Sequence, residues 1–302
     1  SMITGSLFIA ATQLLLEGLI GYPQALFRAI GHPVTWIGGL IARLDRSLNR
    51  ENWSSPIRRM AGVLAVIILI IVTGGIALSL DLVLNTYALG LLVVIALAAT
   101  LPAQRSLDDH VRAVATALQN DGVEAGRKAV SMIVGRSTAS LDESGVSRAA
   151  IESLAENFSD GVVAPIFWTA GFGLTGGVLY KAINTADSMI GHKNKTYIDF
   201  GWAAARLDDI VNLPCSRLSA LWIVLAACFV PGSSPLASLT TVIRDARHHR
   251  SPNAGWPEAA MAGALGIALA GPRIYGDVKV DDAFIGTGRR DLLAGDIRRA
   301  LT

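Results

Sequence analysis

The sequence predicts an all-α integral membrane protein with about four to five membrane-embedded helices and additional amphipathic cytoplasmic helices. Hydrophobic residues make up 52% of the 302 residues, whereas charged residues make up only 17%, below the quarter or so that is usual in soluble domains. The mean hydropathy is +0.47. No proline- or serine-rich linker, charge block or repeat of fixed period divides the chain. We therefore expect residues 1–302 to form a single membrane-embedded domain, with a cytoplasmic helical insert at about 103–160.

The first third of the chain contains the clearest membrane segments. Residues 3–20 are apolar, lack a basic start and contain Glu17, which favours a mature membrane-associated helix over a cleaved signal peptide. Residues 60–80 carry no charge and are long enough to cross a hydrocarbon core of about 30 Å. A second span is expected from about residue 84 to 101, where Pro102 ends it. The short connection between the two predicts an antiparallel pair.

Arginines flank this pair of segments on both sides. By the positive-inside rule, both flanks belong in the cytoplasm. We therefore expect a multi-pass protein of the cell (inner) membrane whose active site faces the cytoplasm. The flanking residues are Arg43, Arg46, Arg50, Arg58 and Arg59 before the pair, and Arg105 and Arg112 after it.

Between about residues 107 and 155 the pattern changes to amphipathic helices. Val111, Val114 and Leu118 recur at a spacing of three and four residues, which predicts a helix with one buried face. The Asn-Asp-Gly string at 120–122 predicts a turn, and residues 123–134 a further short helix.

The second half of the chain is apolar but interrupted. Residues 162–180 contain Pro165 and four glycines, and a full crossing would leave the basic residues that follow on the outside. We therefore expect a broken or re-entrant hairpin that returns to the cytoplasmic side. Further apolar helices are predicted at 218–230, 233–243 and 258–270.

The charge and the cysteines exclude several classes of function. The net charge of +2 is too small to indicate a nucleic-acid partner. The apolar composition instead makes the lipid bilayer the expected surroundings of the protein. Cys215 and Cys228 lie in or beside an apolar run. They are expected to be packed thiols and not a disulfide or a metal site.

Carboxylates and amides are concentrated between residues 149 and 217 of this otherwise apolar chain. Ionisable groups beside a bilayer are costly and usually functional. Glu152, Glu156 and Asp160 follow one another at four-residue spacing, so on a continuous α-helix their carboxylates share one face. The other members of the group are Asn157, Asn184, Asp187, Asp208, Asp209 and Asn212.

These side chains predict a site for Mg²⁺ and phosphate. Mg²⁺ takes one or two carboxylates together with phosphate oxygens and water, and cations between the acids would neutralise a transferred phosphoryl group. A structural salt-bridge lattice explains single pairs but not the whole set. The spacing is equally compatible with an intramembrane prenyltransferase that holds Mg-diphosphate. The interleaved basic residues are Lys181, Lys193, Lys195, Arg206 and Arg217.

Two loops near the membrane surface each contain a tryptophan and prolines. The first consists of residues 21–23 with 32–38, and the second of residues 251–258. An interfacial tryptophan anchor and a turn account for part of the first loop, and Asn253 as a cap for part of the second. His248 and His249 are expected to be solvated or in contact with phosphate, because no matching Cys or His cluster suggests a metal site.

Several strings of residues, in this order, resemble the CobD/CbiB family, the adenosylcobinamide-phosphate synthases of cobalamin biosynthesis. Each string is weakly specific alone, whereas together they run in register over nearly the whole chain. They are His-Pro-Val with Trp-Ile-Gly at 32–38, Ser-Arg-Ala-Ala-Ile-Glu-Ser-Leu-Ala-Glu-Asn at 147–157, Asp-Gly-Val-Val-Ala-Pro at 160–165, Asn-Thr with Asp-Ser-Met-Ile-Gly at 184–191, Ala-Arg-Leu-Asp-Asp at 205–209, and the loop 251–258.

The resemblance implies an integral membrane enzyme that uses ATP and Mg²⁺. It implies amide formation between the free carboxylate of adenosylcobyric acid and the amine of (R)-1-amino-2-propanol or its O-phosphate. The product would be adenosylcobinamide or its phosphate. Cytoplasmic enzymes of the pathway and a second copy of the chain are further candidate partners.

We assign candidate roles on this basis. The catalytic candidates are Glu156, Asp160, Asp187, Asp208 and Asp209, and the four aspartates among them are also the metal candidates. The candidates for binding phosphate and the rest of the substrate are Lys181, Lys193, Arg206 and Arg217 with Asn157, Asn184 and Asn212. The two loops are expected to contact the corrin ring through His32, Trp36, Ser251, Asn253 and Trp256.

The chain departs from the family pattern at two positions. Ser137 and Tyr22 stand where acids are expected, which removes two carboxylates but leaves the main cluster unaffected. Two other classes stay open at this point: an intramembrane Mg-diphosphate prenyltransferase, and a non-catalytic corrinoid-binding or transport protein of the membrane. Inverted repeats would favour a transporter, and none is visible in the sequence.

Overall fold

The structure, a computed structural model, describes residues 2–24, 28, 29, 31–275 and 278–302. It is 72% helical with almost no strands, which confirms the predicted fold class. The helices of the described residues are α1 Met2–Ile20, α2 Pro33–Leu48, α3 Ser55–Leu84, α4 Ala88–Ala98, α5 Gln104–Asp121, α6 Val123–Val130, α7 Glu143–Asn157, a π-helix Phe158–Val163, α8 Ala164–Ile190, α9 Trp202–Ala226, α10 Pro235–Asp245, a 3₁₀ turn Ala246–His248, α11 Gly255–Leu265 and α12 Ala294–Ala300.

The contacts within the chain divide it into two compact units. Unit 1 consists of Ser1–Ala103 and Gly161–Asn212, and unit 2 of Gln104–Asp160 and Leu213–Thr302. The segment expected as an insert at about 103–160 therefore groups with the C-terminal part of the chain. The single-domain organisation stays a prediction.

In unit 1, α8 is the central helix and packs against α1, α2, α3 and α4. One apolar core joins α2 and α3 to the second half of α8, with Ile41, Leu69 and Phe200 almost fully buried. A second core lies around α4 and contains Val94 and Leu174. Helix α8 contains many small residues, and its packing against these four helices holds it in the interior of unit 1.

Helix α8 is broken at Phe172 and Gly173, whose backbone angles are not helical. Gly173 has a φ of +66°, a conformation that only glycine adopts readily. A Cβ on Gly176 would lie 2.3 Å from the carbonyl oxygen of Trp168, although residues eight apart in a straight helix are separated by about 12 Å along its axis. The chain therefore folds back on itself here. The predicted break within residues 162–180 is confirmed.

Asp81 of α3 caps the second arm of this helical hairpin, which comprises residues 174–190 of α8. Its Oδ2 accepts hydrogen bonds from the backbone N–H of Thr175 at 2.8 Å and from the Thr175 hydroxyl at 2.6 Å. The first N–H groups of a helix lack partners within the helix, and such groups are costly to leave unpaired in apolar surroundings. The carboxylate at the end of an otherwise uncharged segment thus has a structural role.

Three stretches in the described part of the chain are long and apolar enough to cross a membrane: Ser55–Leu84, Glu143–Ile190 and Trp202–Ala226. The first contains the span expected at 60–80. The second is interrupted by the break at Gly173, so it is not one straight rod. The span expected at 84–101 is shorter than predicted, because α4 covers only 11 residues, or about 16 Å.

The segment after α8 is held by polar side chains of α2 and α3. Asp45 accepts a hydrogen bond from the Tyr197 hydroxyl at 3.0 Å, and Asn49 donates to the Thr196 carbonyl at 3.2 Å. Arg58 is 8% exposed and donates to the same carbonyl and to Asn49. These bonds fix the connection between α8 and α9. They also satisfy the buried Arg58 side chain within the protein.

Unit 2 is built from α5, α6, α7, α10, α11 and α12 around one core. Val111, Val114 and Leu118 are buried in that core, which confirms the amphipathic helix predicted there. Gly122, with a φ of +86°, forms the expected turn between α5 and α6. Two short antiparallel strand pairs, β1 Leu269–Ala270 with β4 Phe284–Ile285 and β2 Arg273–Tyr275 with β3 Val278–Val280, complete the unit.

The hairpin in α8 makes a prediction about two glycines. Gly176→Ala should lower the free energy of unfolding by about 1–3 kcal/mol, the usual cost of overpacking, because its methyl group would overlap the Trp168 carbonyl. Denaturant titration in mixed micelles measures this. Gly171→Ala is the matched control, since its Cβ would meet nothing within 4 Å. Equal stabilities of the two variants would contradict the hairpin.

Candidate functional site

The polar groups of unit 1 meet between the second arm of α8 and the start of α9. Asn184 donates from Nδ2 to Oδ1 of Asp208 at 3.3 Å. One turn further on, Asn212 donates to the Asp208 carbonyl at 3.1 Å and accepts from the Tyr180 hydroxyl at 2.9 Å. Asp208, Asn212 and Tyr180 are all buried. The Asn184 amide therefore orients the Asp208 carboxylate, and the Asn212 amide binds the backbone of the same residue.

Two further carboxylates lie beside this pair. Asp187 and Asp209 are close enough to Asp208 to repel its charge, and they repel each other. Arg206 approaches Asp209 at 3.6 Å, and Lys193 also exerts a positive charge on it. The three carboxylates therefore repel one another, and Arg206 and Lys193 offset this repulsion at Asp209.

The arrangement fits Mg²⁺ held together with a phosphate, and not a closed protein cage. Among the described residues, no group of three or more His, Cys, Asp or Glu side chains is positioned to hold a metal by itself. Mg²⁺ usually takes one or two carboxylates, retains water and shares phosphate oxygens. Asp187, Asp208 and Asp209 supply oxygen donors of the required type, with Asn184 as a neutral neighbour.

His32 caps α2 and lies close to the charge of Lys181. Its Nδ1 accepts the Val34 N–H at 3.1 Å, which requires a neutral ring with the proton on Nε2. Burial, and then the charge of Lys181, lower the pKa of His32. The segment expected as a loop at 32–38 is helical from Pro33 onward, because a proline at the first position and this cap start a helix. Trp36 lies in its first turn and is 53% exposed.

In unit 2 the predicted residues of loop 251–258 meet Arg217. Its Nη1 donates to Oδ1 of Asn253 at 2.9 Å, and its guanidinium lies 4.4 Å from the centre of the Trp256 ring. Ser251 closes the turn, since its hydroxyl accepts the N–H groups of Asn253 and Ala254 at 3.2 and 3.1 Å. These four predicted residues do form one cluster.

A second cluster of unit 2 was not predicted. Glu152 is 6% exposed, and its Oε1 accepts the Ala270 N–H at 2.6 Å and Nη2 of Arg273 at 3.0 Å. Arg136 approaches Oε2 of Glu152 at 3.8 Å. Arg148 donates to the carbonyl of Ala268 at 3.4 Å. This buried carboxylate is thus shared between helix α7 and a segment more than a hundred residues away.

Glu258 lies fully buried beside this cluster. Its Oε1 is 3.6 Å from Nε2 of His249, and its Oε2 has no hydrogen-bond partner among the described residues. Burial, and then the charges of Glu152 and Glu156, raise the pKa of Glu258 well above its usual range. The imidazole is neutral, because its Nδ1 accepts the Ser251 N–H at 2.9 Å and burial lowers its pKa. The Glu258 carboxyl, whose pKa burial raises, thus faces the His249 imidazole.

The remaining predicted acids differ from Glu152 in burial and in local structure. Glu156 and Asn157 are exposed at the end of α7, whereas Glu152 is buried. Asp160 lies in the π-helix, whose wider turn changes the rotation that four-residue spacing assumes. Asn157 donates to the Ser153 carbonyl at 2.9 Å. The common face stays a prediction: Glu152 and Glu156 are one turn apart within α7, and Asp160 follows in the π-helix.

The predicted site residues divide between the two units. Unit 1 contains His32, Trp36, Lys181, Asn184, Asp187, Lys193, Arg206, Asp208, Asp209 and Asn212, and unit 2 contains Glu156, Asn157, Asp160, Arg217, Ser251, Asn253 and Trp256. The residues that sequence reasoning missed are Arg136, Arg148, Glu258 and Arg273. One of them had a visible signal, since Glu258 is the only ionisable residue in the apolar stretch 258–270.

Comparison with known proteins gives the chain a family. Residues 10–302 match the family described as CobD/Cbib protein. The chain belongs to the CobD/CbiB family. It is 51% identical to the cobalamin biosynthesis protein CobD of Sinorhizobium sp over 296 residues, which cover 96% of this chain and 91% of that protein. The CobD protein of Rhizobium meliloti (strain 1021) is 49% identical over 299 residues, covering 98% and 91%.

A relative from another genus gives the same result. The cobalamin biosynthesis protein CobD of Rhodobacter capsulatus is 49% identical over 282 residues, or 93% of this chain and 87% of that protein. No solved structure gives a significant match. Membership of the CobD/CbiB family confirms the resemblance seen in the sequence and gives the chain a role in cobalamin biosynthesis.

The buried Glu258 of this CobD/CbiB protein predicts how stability depends on pH. A group whose pKa is raised on folding stabilises the protein below its unfolded pKa, and that contribution is lost as the pH rises through the folded pKa. Wild-type protein should therefore lose more stability than Glu258→Gln as the pH rises above the usual titration range of a glutamate, since the amide cannot ionise. Melting temperatures across this pH range measure the difference.

The control for this experiment is Glu51→Gln, because Glu51 is exposed and its charge is not among those that raise the pKa of Glu258. Its pH profile should follow that of the wild type. If Glu258→Gln and wild type gave parallel profiles, Glu258 would not be buried as a protonated acid.

Proposed function

We propose that this protein catalyses the ATP-dependent joining of adenosylcobyric acid to (R)-1-amino-2-propanol or its O-phosphate, giving adenosylcobinamide or its phosphate. The observation that carries the proposal is the family match over residues 10–302. The CobD relatives at about half identity support it. The carboxylate group around Asp208 supports the use of a metal-bound nucleotide.

The reaction needs activation, because a carboxylate anion resists attack by an amine. In the proposed sequence, a carboxylate oxygen of the corrinoid attacks the γ-phosphorus of ATP, and the bond to ADP breaks. The amine nitrogen then attacks the carbonyl carbon of the acyl phosphate, inorganic phosphate leaves, and a base accepts the amine proton. Holding these partners in contact is the main task of the protein.

Asp187, Asp208 and Asp209 are the proposed holders of Mg²⁺. When bound there, the ion would neutralise charge on the phosphate oxygens. The hydrogen bond from Asn184 orients the Asp208 carboxylate, and Asn212 donates to the backbone carbonyl of Asp208. Lys193 and Arg206, both exposed beside Asp209, are suited to hold the outer phosphates of the nucleotide.

Lys181 and His32 are proposed to bind the anionic or polar end of the second substrate. The neutral His32 ring already has its Nδ1 committed to Val34, which leaves Nε2–H as a donor. Trp36 is suited to contact the corrin, since it is 53% exposed. Trp256 is less suited, because Arg217 covers one face of its ring at 4.4 Å.

The assay for this function uses purified protein with adenosylcobyric acid, aminopropanol phosphate and Mg-ATP, followed by mass spectrometry. We expect ATP-dependent formation of the amide together with ADP. If the corrinoid bound but no amide formed with either amine, a non-catalytic corrinoid-binding or transport role would replace the proposal. Turnover of an isoprenoid diphosphate instead would assign the protein to the prenyltransferases.

Asp208→Asn should reduce the turnover number roughly a hundredfold or more, the scale typical for losing a group that stabilises transition-state charge. The amide keeps the size of the side chain, so the melting temperature should stay near that of the wild type. Asp187→Asn, at another proposed Mg²⁺ holder, is expected to have the same effect on turnover. The matched control is Asp121→Asn, at an exposed position of α5. Near-wild-type rates for either test variant would remove that residue from the site.

A further inference from the structure

A groove of about 540 Å³ runs along the outer face of unit 1 between α3 and the first residue of α9. Its volume falls within the range of small-molecule sites, roughly 300–1,000 Å³. The groove lies on the segment Ser55–Leu84, which is long and apolar enough to span a membrane. Its main walls are Arg59, Met60, Val63, Leu64, Ile67 and Trp202.

The lining separates into a charged end and an apolar length. Positions 60, 63, 64 and 67 follow at spacings of three and four residues, so they lie on one face of α3. Met60 is 72% exposed, and Leu64 and Ile67 are each 47% exposed. From Arg59 to Ile67 the helix rises by about 12 Å. A long apolar chain lying in the groove would therefore follow the helix away from the guanidinium.

The charged end has the composition of a membrane-interface site. The guanidinium of Arg59 lies 5.2 Å from the centre of the Trp202 ring and 3.6 Å from Oδ1 of Asp199. Half of the Arg59 side chain is exposed, so some of its five N–H donors stay accessible to a ligand. The neighbouring Arg58 differs, because it is buried and donates to Asn49 and Thr196. Tryptophan and arginine together are typical of the headgroup level of a bilayer.

We propose that this groove binds one anionic phospholipid. Its phosphate lies at the Arg59 guanidinium, and one acyl chain lies along Met60, Leu64 and Ile67. The phospholipid is the favoured occupant because charge and length match it: the half-exposed Arg59 guanidinium, beside Asp199, stands at one end of an apolar groove on a helix long enough to span a membrane. This site is independent of the proposed amide-forming reaction and uses none of its residues.

The test measures which lipid stays bound to the delipidated protein in detergent. Native mass spectrometry follows the bound fraction after addition of equimolar phosphatidylglycerol and phosphatidylcholine. Wild-type protein is expected to prefer phosphatidylglycerol about fivefold, the ratio that corresponds to about 1 kcal/mol for one arginine near a lipid surface. Arg59→Gln is expected to bind the two lipids equally.

Two further variants separate the site from general surface charge. Arg50→Gln is the matched control, because Arg50 is exposed in the same unit and does not line the groove, and it should keep the preference. Ile67→Trp should fill the apolar length and lose the preference although Arg59 is present. Each variant is compared with wild type for its melting temperature, so that loss of the fold is distinguished from loss of the site.

Several results would overturn the proposal. They are equal binding of the two lipids by wild type, an unchanged preference in Arg59→Gln, and loss of the preference in Arg50→Gln. Displacement of the lipid by millimolar inorganic phosphate would assign the arginine to a soluble anion. Exclusion of both lipids by a second protein chain would assign the groove to a protein interface.

Discussion

The reversal of α8 at Phe172 and Gly173 is the constraint on which the rest of unit 1 depends. A helix that restarts within apolar surroundings leaves its first N–H groups without partners. Here the Asp81 carboxylate accepts the Thr175 N–H and hydroxyl at 2.8 and 2.6 Å. One acid at the end of α3 therefore fixes where the second arm begins and how it is rotated.

That rotation determines what the second arm presents to α9. Lys181, Asn184 and Asp187 follow at three-residue spacing after the capped start, and Asn184 reaches the Asp208 carboxylate. Glycines make the packing possible, since Gly176 lies directly against the Trp168 carbonyl. In this region the small residues thus allow the two arms of α8 to pack closely, whereas the carboxylates supply negative charge.

Local patterns predicted much of this arrangement. The glycine-rich interruption of 162–180, the amphipathic helix with Val111 and Val114, and the i, i+4 pair Asp208 and Asn212 all depend on neighbours within a few turns. The contacts that sequence reasoning missed are long-range. Glu152 bonds to Ala270 and Arg273, and no periodicity reports a partner more than a hundred residues away. The π-helix at Phe158–Val163, in which Asp160 lies, likewise had no signal in the sequence.

The central claim is that the carboxylates between α8 and α9 hold the metal–phosphate end of ATP. Calorimetric titration of Mg-ATP into the detergent-solubilised protein tests it most directly, because binding is measured without the corrinoid or the amine. Asp208→Asn should raise the dissociation constant for Mg-ATP at least about tenfold, which corresponds to a loss of about 1.4 kcal/mol in binding free energy. Asp121→Asn, at an exposed position, should leave the constant unchanged. An identical dissociation constant for wild type and Asp208→Asn would contradict the account.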